Sequence, residues 1–157
     1  MLFEADRALR ALGKELVCPP LEVGKALTRL RAELTSVREE LGRSRAIVAR
    51  VTAEEALSHA ENDRVILVLE EGGVELAKAV VAHLVREGSL TAVVAARIDE
   101  GLHVIVARGP SAIRDCGALL KKLAESAGGR GGGRAERAEG RLPAGTDLVT
   151  VARSAWG

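Results

Sequence analysis

Residues 125–145, ESAGGRGGGRAERAEGRLPAG, hold seven glycines and four arginines. Gly128, Gly129, Gly131, Gly132 and Gly133 surround Arg130 and lead into Arg134 and Arg137, with Lys121 and Lys122 shortly before them. Glycine lets a backbone N–H reach an anion with no side chain in the way, and an arginine head adds charge and a two-pronged donor geometry. The combination suits contact with phosphate. It is not a Walker loop, because no Gly-Lys-Ser/Thr follows, and it leaves a predicted helix where a dinucleotide fingerprint would lead from a strand into one. Composition alone fits a flexible loop equally well.

Charge supports a local role. The whole chain of 157 residues carries a net charge of +1, yet between positions 108 and 141 eight basic side chains stand against four acidic ones. A general polycation that coats nucleic acid is excluded; attraction has to be concentrated in this segment. Aromatic residues make up 1%, with one Phe, one Trp and no Tyr, so there is no platform on which bases could stack.

Catalytic chemistry finds little support. Cys18 and Cys116 are nearly a hundred positions apart with no second thiol beside either, which reads as two reduced thiols in a cytoplasmic protein. Cys116 reads as a small buried hydrophobe. Neither the three histidines nor the cysteines have the spacing of a zinc site, so His59 is assigned to a solvated helix end and His83 and His103 to packing. No catalytic residue, metal ligand or cofactor is assigned. No apolar run approaches the ~18 residues of a membrane span.

The elements that position the glycine segment follow from hydrophobic spacing. Leu2, Ala5, Leu9, Leu12 and Leu16 form one helical stripe, broken at VCPP. A second helix starts near Pro20, where Val23, Leu27, Leu30, Leu34, Val37, Leu41, Ser44, Val48 and Val51 alternate steps of four and three in a coiled-coil seam. Thr52 followed by Glu55 signals a break or restart. The helices form either an antiparallel hairpin or a pair with a second chain. RVILVLEE then reads as a buried strand, residues 74–86 as a helix ended by Gly88, and LTAVVAARID and LHVIVARG as a hairpin about DEG. A helix capped by Ser111 precedes the glycines, and one capped by Thr146 follows. The expected fold is α/β (α+β): a helical hairpin or coiled coil over 1–60, then a compact mixed-sheet domain with a Gly-rich loop over 61–157.

In this setting, residues 63–141 resemble the DHH-associated domain that closes alanyl-tRNA synthetases, AlaX editing proteins and many DHH phosphoesterases. Gly128, Gly129, Gly131, Gly132, Gly133, Arg134, Ala138 and Gly140 match the family's glycine motif. Glu139 stands where glutamine is usual and Arg141 where glycine is common. The preceding helices are similar to the segment that joins this domain to the editing domain.

The resemblance implies a module that is not itself an enzyme and that binds tRNA, alanine tRNA first, and forms homo-oligomers through its helices. It would support aminoacylation or editing by a separate domain. By the same resemblance, Arg130, Arg134, Arg137, Lys121 and Lys122 would hold the nucleic acid, with the amides of Gly131 to Gly133 against phosphate or sugar. Two rivals remain: an accessory lobe of an AlaX-type deacylase or DHH phosphoesterase whose catalytic domain lies elsewhere, and an oligomerisation unit alone.

Overall fold

The computed structural model describes residues 2–156, the side chain of Leu2 excepted, so that position of the first stripe lies outside the described residues. The chain divides into two compact units, residues 1–44 and 45–157.

The first unit is helical. Helix α1 spans Leu2–Glu15, and after VCPP a single 3-10 turn, Pro20–Glu22, leads into α2, Val23–Ser58. Proline at the first turn costs nothing, since its missing N–H would have no helical partner there. Gly13 lets the chain fold back closely: its carbonyl accepts from the Cys18 N–H at 2.9 Å, and a Cβ on it would stand 2.7 Å from the Cys18 oxygen. The seam residues Leu27, Leu30, Leu34, Val37 and Leu41 are all exposed.

α2 does not break at Thr52; it continues to Ser58. Its last turns also bury a different stripe from the one expected. Val48 and Val51 remain exposed, whereas Ala49 and Ala53 are buried with Ala56 packed beside them. Alanine brings a helix backbone close to a sheet, and burial of that face overrides a local capping signal.

The second unit is a five-stranded sheet between two helical layers, in the order β1-β2-β3-β5-β4. Strand β1 (Arg64–Leu69) runs parallel to β2 (Thr91–Ile98) and is joined to it by α3 (Gly73–Leu84). β2 turns through Asp99 and Glu100 into β3 (Gly101–Arg108), and the remaining pairings are antiparallel. Alternation along the strands divides the core in two. Val93, Ala95, Leu102, Val104 and Val106 face α4 (Cys116–Ala127) and α5 (Leu148–Trp156), while Ala92, Val94, Ala96, Ile105 and Ala107 face α3 and the alanine stripe of α2.

Three helix ends differ from expectation. Asp115, not Ser111, caps α4 by accepting the Ala118 N–H at 2.8 Å. Asp147, not Thr146, accepts the Thr150 N–H and hydroxyl ahead of α5. α3 ends on Val85, three residues before Gly88. In the first two cases a carboxylate outcompetes a neighbouring hydroxyl for the first-turn amides, helped by the positive end of the helix dipole.

The glycine run is not a loop. Gly128 is the left-handed cap of α4 at φ 70°, Arg130–Gly133 is edge strand β4, and Arg137–Leu142 is β5. Gly131 and Gly133 lie opposite Gly140 and Ala138. A Cβ at Gly131 would stand 2.6 Å from the Gly140 Cα and 2.9 Å from Leu120 Cδ2, and one at Gly133 only 2.3 Å from the Ala138 Cα. At Gly132 a Cβ would meet nothing within 4 Å. Gly131→Ala should therefore lower stability by about 1–3 kcal/mol, as overpacking does. Gly132→Ala should be neutral or gain up to about 1 kcal/mol from the unfolded chain. Paired thermal melts check this; equal effects at the two positions would contradict the packing.

Candidate nucleic-acid interface

The sheet register determines where each candidate side chain points. Arg134 N–H donates to the Arg137 oxygen at 2.8 Å, so 134 and 137 form a hydrogen-bonded pair, and alternation makes 132–139 and 130–141 the next such pairs. The N–H groups of Gly131 and Gly133 consequently point away from β5, along the open edge of the sheet. The Gly132 N–H is used in the ladder, and those of Gly128 and Gly129 both donate to the Ala124 oxygen that ends α4. Of the five candidate glycines, two offer free donors.

The same alternation sorts the charges. Ala138, Gly140 and Leu142 face α4, so Arg137, Glu139 and Arg141 project from the opposite side of β5, joined there by Arg130 and Arg134 from β4 and the turn after it. α3 covers β2 and β3 on that side, whereas Arg130, Arg134, Arg137 and Arg141 are exposed. Lys121 and Lys122 lie on α4, behind the sheet. Lys121 is 4.0 Å from Glu125, and Lys122 lines a depression of about 360 Å³ with Ile113, Arg114 and Asp115. The structure thus brings the three predicted arginines together and sets the two lysines apart from them.

Charges nearer the centre of the sheet are neutralised. Arg137 donates to Glu139 at 2.9 Å, His103 Nε2 lies 3.2 Å from the same carboxylate, and Arg108 donates to Glu136 at 3.3 Å. Arg141 is 4.0 Å from Glu100. Arg130 and Arg134 have no ion-pair partner among the described residues. Arg130 and Arg141 line a depression of about 360 Å³ together with Gly128 and Gly129. His103, Glu139 and Arg141 were not among the predicted site residues; their spacing two apart on β5, opposite His103 on β3, is the signal that would have found them.

Burial works to raise the Glu139 carboxyl pKa, but hydrogen bonds from Arg137 and His103 outweigh it, and the group titrates below the usual carboxylate range. Burial pushes the Cys116 thiol up to about 11, so it stays protonated at neutral pH and is a poor nucleophile. Among the described residues no group of three His, Cys, Asp or Glu could hold a metal ion, and no helix is long and apolar enough to cross a membrane.

Over 152 residues the chain is 30% identical to the alanine–tRNA ligase of Aeropyrum pernix, which covers 90% of this chain but 17% of that enzyme. The C-Ala domain of Aquifex aeolicus alanyl-tRNA synthetase superposes with a TM-score of 0.51 at 17% identity, over 58% of this chain and 85% of that domain. The chain is thus similar in sequence to an alanine–tRNA ligase and in fold to the C-Ala domain of an alanyl-tRNA synthetase. RecJ of Thermus thermophilus aligns with 94% of this chain and 28% of its own at 20% identity, with a TM-score of 0.47, too loose a likeness to argue from. No family model matches the chain. The chain spans about a sixth of the length of the ligase it matches, 17%.

Because the folded state keeps Glu139 ionised below its ordinary pKa, its pairing with Arg137 and His103 contributes fully above the unfolded carboxylate pKa and is lost as pH falls through the lowered one. Glu139→Gln should therefore flatten the acid limb of the stability curve. Denaturant melts between neutral pH and the carboxylate range test it; an unchanged limb would mean that the pair contributes nothing.

Proposed function

We propose that this chain is a tRNA-binding and assembly module whose contact surface is the open β5–β4 face with the β4 edge beside it. The observation that carries this reading is the pair of unpartnered arginines, Arg130 and Arg134, alternating with the outward N–H groups of Gly131 and Gly133. Successive outward amides on a strand are about 6.6 Å apart. Such a row, edged with guanidinium forks, suits consecutive phosphates of a nucleic-acid backbone.

Recognition is by shape and backbone, since the one aromatic among the described residues of the sheet unit, Trp156, is 3% exposed and offers no base a surface to stack on. Alanine tRNA is the first substrate by similarity to the ligase. Aminoacylation and editing chemistry belongs to other domains, acting in cis or in trans, and this chain holds substrate without transforming it. Lys121 and Lys122, behind the sheet, contribute long-range attraction only.

Full-length alanine tRNA and an isolated acceptor-stem hairpin, each titrated at low and near-physiological salt, separate shape recognition from general charge attraction. The chain should prefer the whole tRNA, and the preference should survive added salt. Replacing Arg130 and Arg134 together by Ala should weaken binding and reduce the salt slope by about two, one for each lost phosphate contact. Unchanged affinity and slope would remove this face from the reading.

The exposed seam of α2 favours a second role beside the first, association of two chains through Leu27, Leu30, Leu34, Val37 and Leu41. Leu34→Lys with Leu41→Lys should weaken self-association at least about tenfold, the cost of desolvating unpaired charge in such a seam. Sedimentation velocity reads this directly; a wild-type monomer at high concentration would end the proposal.

A further inference from the structure

The opposite edge of the sheet has a second polar opening, which the proposed tRNA surface leaves unused. The chain enters β1 through a tight turn in which Glu61 and Arg64 exchange both backbone hydrogen bonds, at 3.1 and 3.0 Å. Its central residues Asn62 and Asp63 have φ of 50° and 58°, both positive as a type I′ turn requires. The turn is pinned from outside: the Thr91 N–H donates to the Asp63 oxygen at 2.8 Å, and the Ser89 hydroxyl to its carboxylate at 2.7 Å.

What the turn holds in place is Arg64. Its guanidinium carbon lies 5.5 Å from the ring centroid of Trp156, over the face of a side chain that is only 3% exposed. An arginine resting on an aromatic face is ordered in advance, and its outer N–H groups remain free to donate. Beside it opens a cavity of about 380 Å³ whose lining includes His59, Glu61, Asn62, Arg64 and Arg153. A neighbouring cavity of about 330 Å³ shares Asn62, Arg64 and Trp156 and adds Arg114. Neither Arg64 nor Arg153 has an ion-pair partner among the described residues.

Two unneutralised guanidinium groups, an imidazole and a carboxamide share a space with a single carboxylate, Glu61. The volume lies in the range of about 300–1,000 Å³ typical of small-molecule sites. We propose that this opening binds a phosphate monoester, carried by a free mononucleotide or by the 5′ end of an oligonucleotide. A doubly charged phosphate gives each guanidinium a partner, whereas a single carboxylate leaves one fork unmet. Because the Trp156 ring is covered by Arg64 and otherwise buried, no base stacks on it, and the site reads the phosphate and not the base.

Trp156 is the chain's one tryptophan and there is no tyrosine, so its fluorescence reports events at Arg64. The whole chain is titrated with AMP, CMP, inorganic phosphate, acetate, and one short oligonucleotide with either a 5′-phosphate or a 5′-hydroxyl, with ³¹P line broadening as a second readout. AMP and CMP should give equal, saturable responses at millimolar concentrations or below, and acetate none. Arg153→Gln, on the exposed side of α5, should weaken the response about tenfold, the loss of one charge-assisted contact. Arg130→Ala with Arg134→Ala should leave it unchanged, which keeps this test separate from that of the tRNA surface. Response to the 5′-phosphorylated oligonucleotide alone names a nucleic-acid end as the source, and response to mononucleotides alone names a free nucleotide. No saturable response in either readout, the same response from acetate, or an unaltered Arg153→Gln titration would overturn the proposal.

Discussion

No side chain fits on β4 at Gly131 and Gly133, where an added Cβ would run into β5 at Gly140 and Ala138 and, at Gly131, also into Leu120 of α4. Leu120 is fully buried against the strands at that point, and the partner positions on β5 are Gly140 and Ala138. A strand of glycines is weak on its own, with maximal backbone entropy to lose and no side chains to pack. Here the helix supplies the packing. The constraint also directs the charge: once alternate positions on β4 are reduced to glycine by the partner strand and the helix behind, the residues between them can carry long side chains only on the other face. Arg130 therefore stands beside Arg141 and Arg134 beside Arg137, and the expected phosphate loop becomes a ribbon with a bare edge and a basic front.

Charge on that front follows burial. His103 is 16% exposed in its side chain, so it would be costly as an unpaired cation, and Glu139 meets it there. Arg137 shares the same carboxylate, while the arginines at the open edge are solvated and need no partner. The result is a field strongest at the rim and muted toward the middle, on a protein whose overall charge is +1. Glutamate at 139, where the resembling family carries glutamine, fits this arrangement, because glutamine would bond to His103 without cancelling Arg137.

Much of this architecture was legible in the sequence, for reasons that also mark the limits. The two N-terminal helices and the strand–helix–hairpin–helix order came from periodicity, which side chains record. β4 could not be read that way, since a strand announces itself by alternating side chains and three of its four residues have none. The caps were misplaced by one to four residues because Ser111 and Thr146 are as good in isolation as Asp115 and Asp147; only the direction of the incoming chain decides between them. The arginines of the candidate site were proposed from composition and the resemblance, and the lysines with them, but neither carries knowledge of which side of a sheet a helix occupies.

The long helix α2 shows how one element serves two surfaces. Ala49, Ala53 and Ala56 fall at steps of four and three, and so do Leu27, Leu30, Leu34, Val37, Leu41, Val48 and Val51 about the sequence register of the seam. Both stripes are apolar, yet only the alanine one is buried. Size explains the division. A sheet packs best against a helix whose contact face is flat, and alanines allow close approach without protruding. Large branched side chains along the other stripe would hold a sheet off but interdigitate well with a similar stripe on another helix, where knobs need holes. The apolar signal of this helix thus runs in two stripes, and side-chain volume separates the one buried against the sheet from the one left exposed.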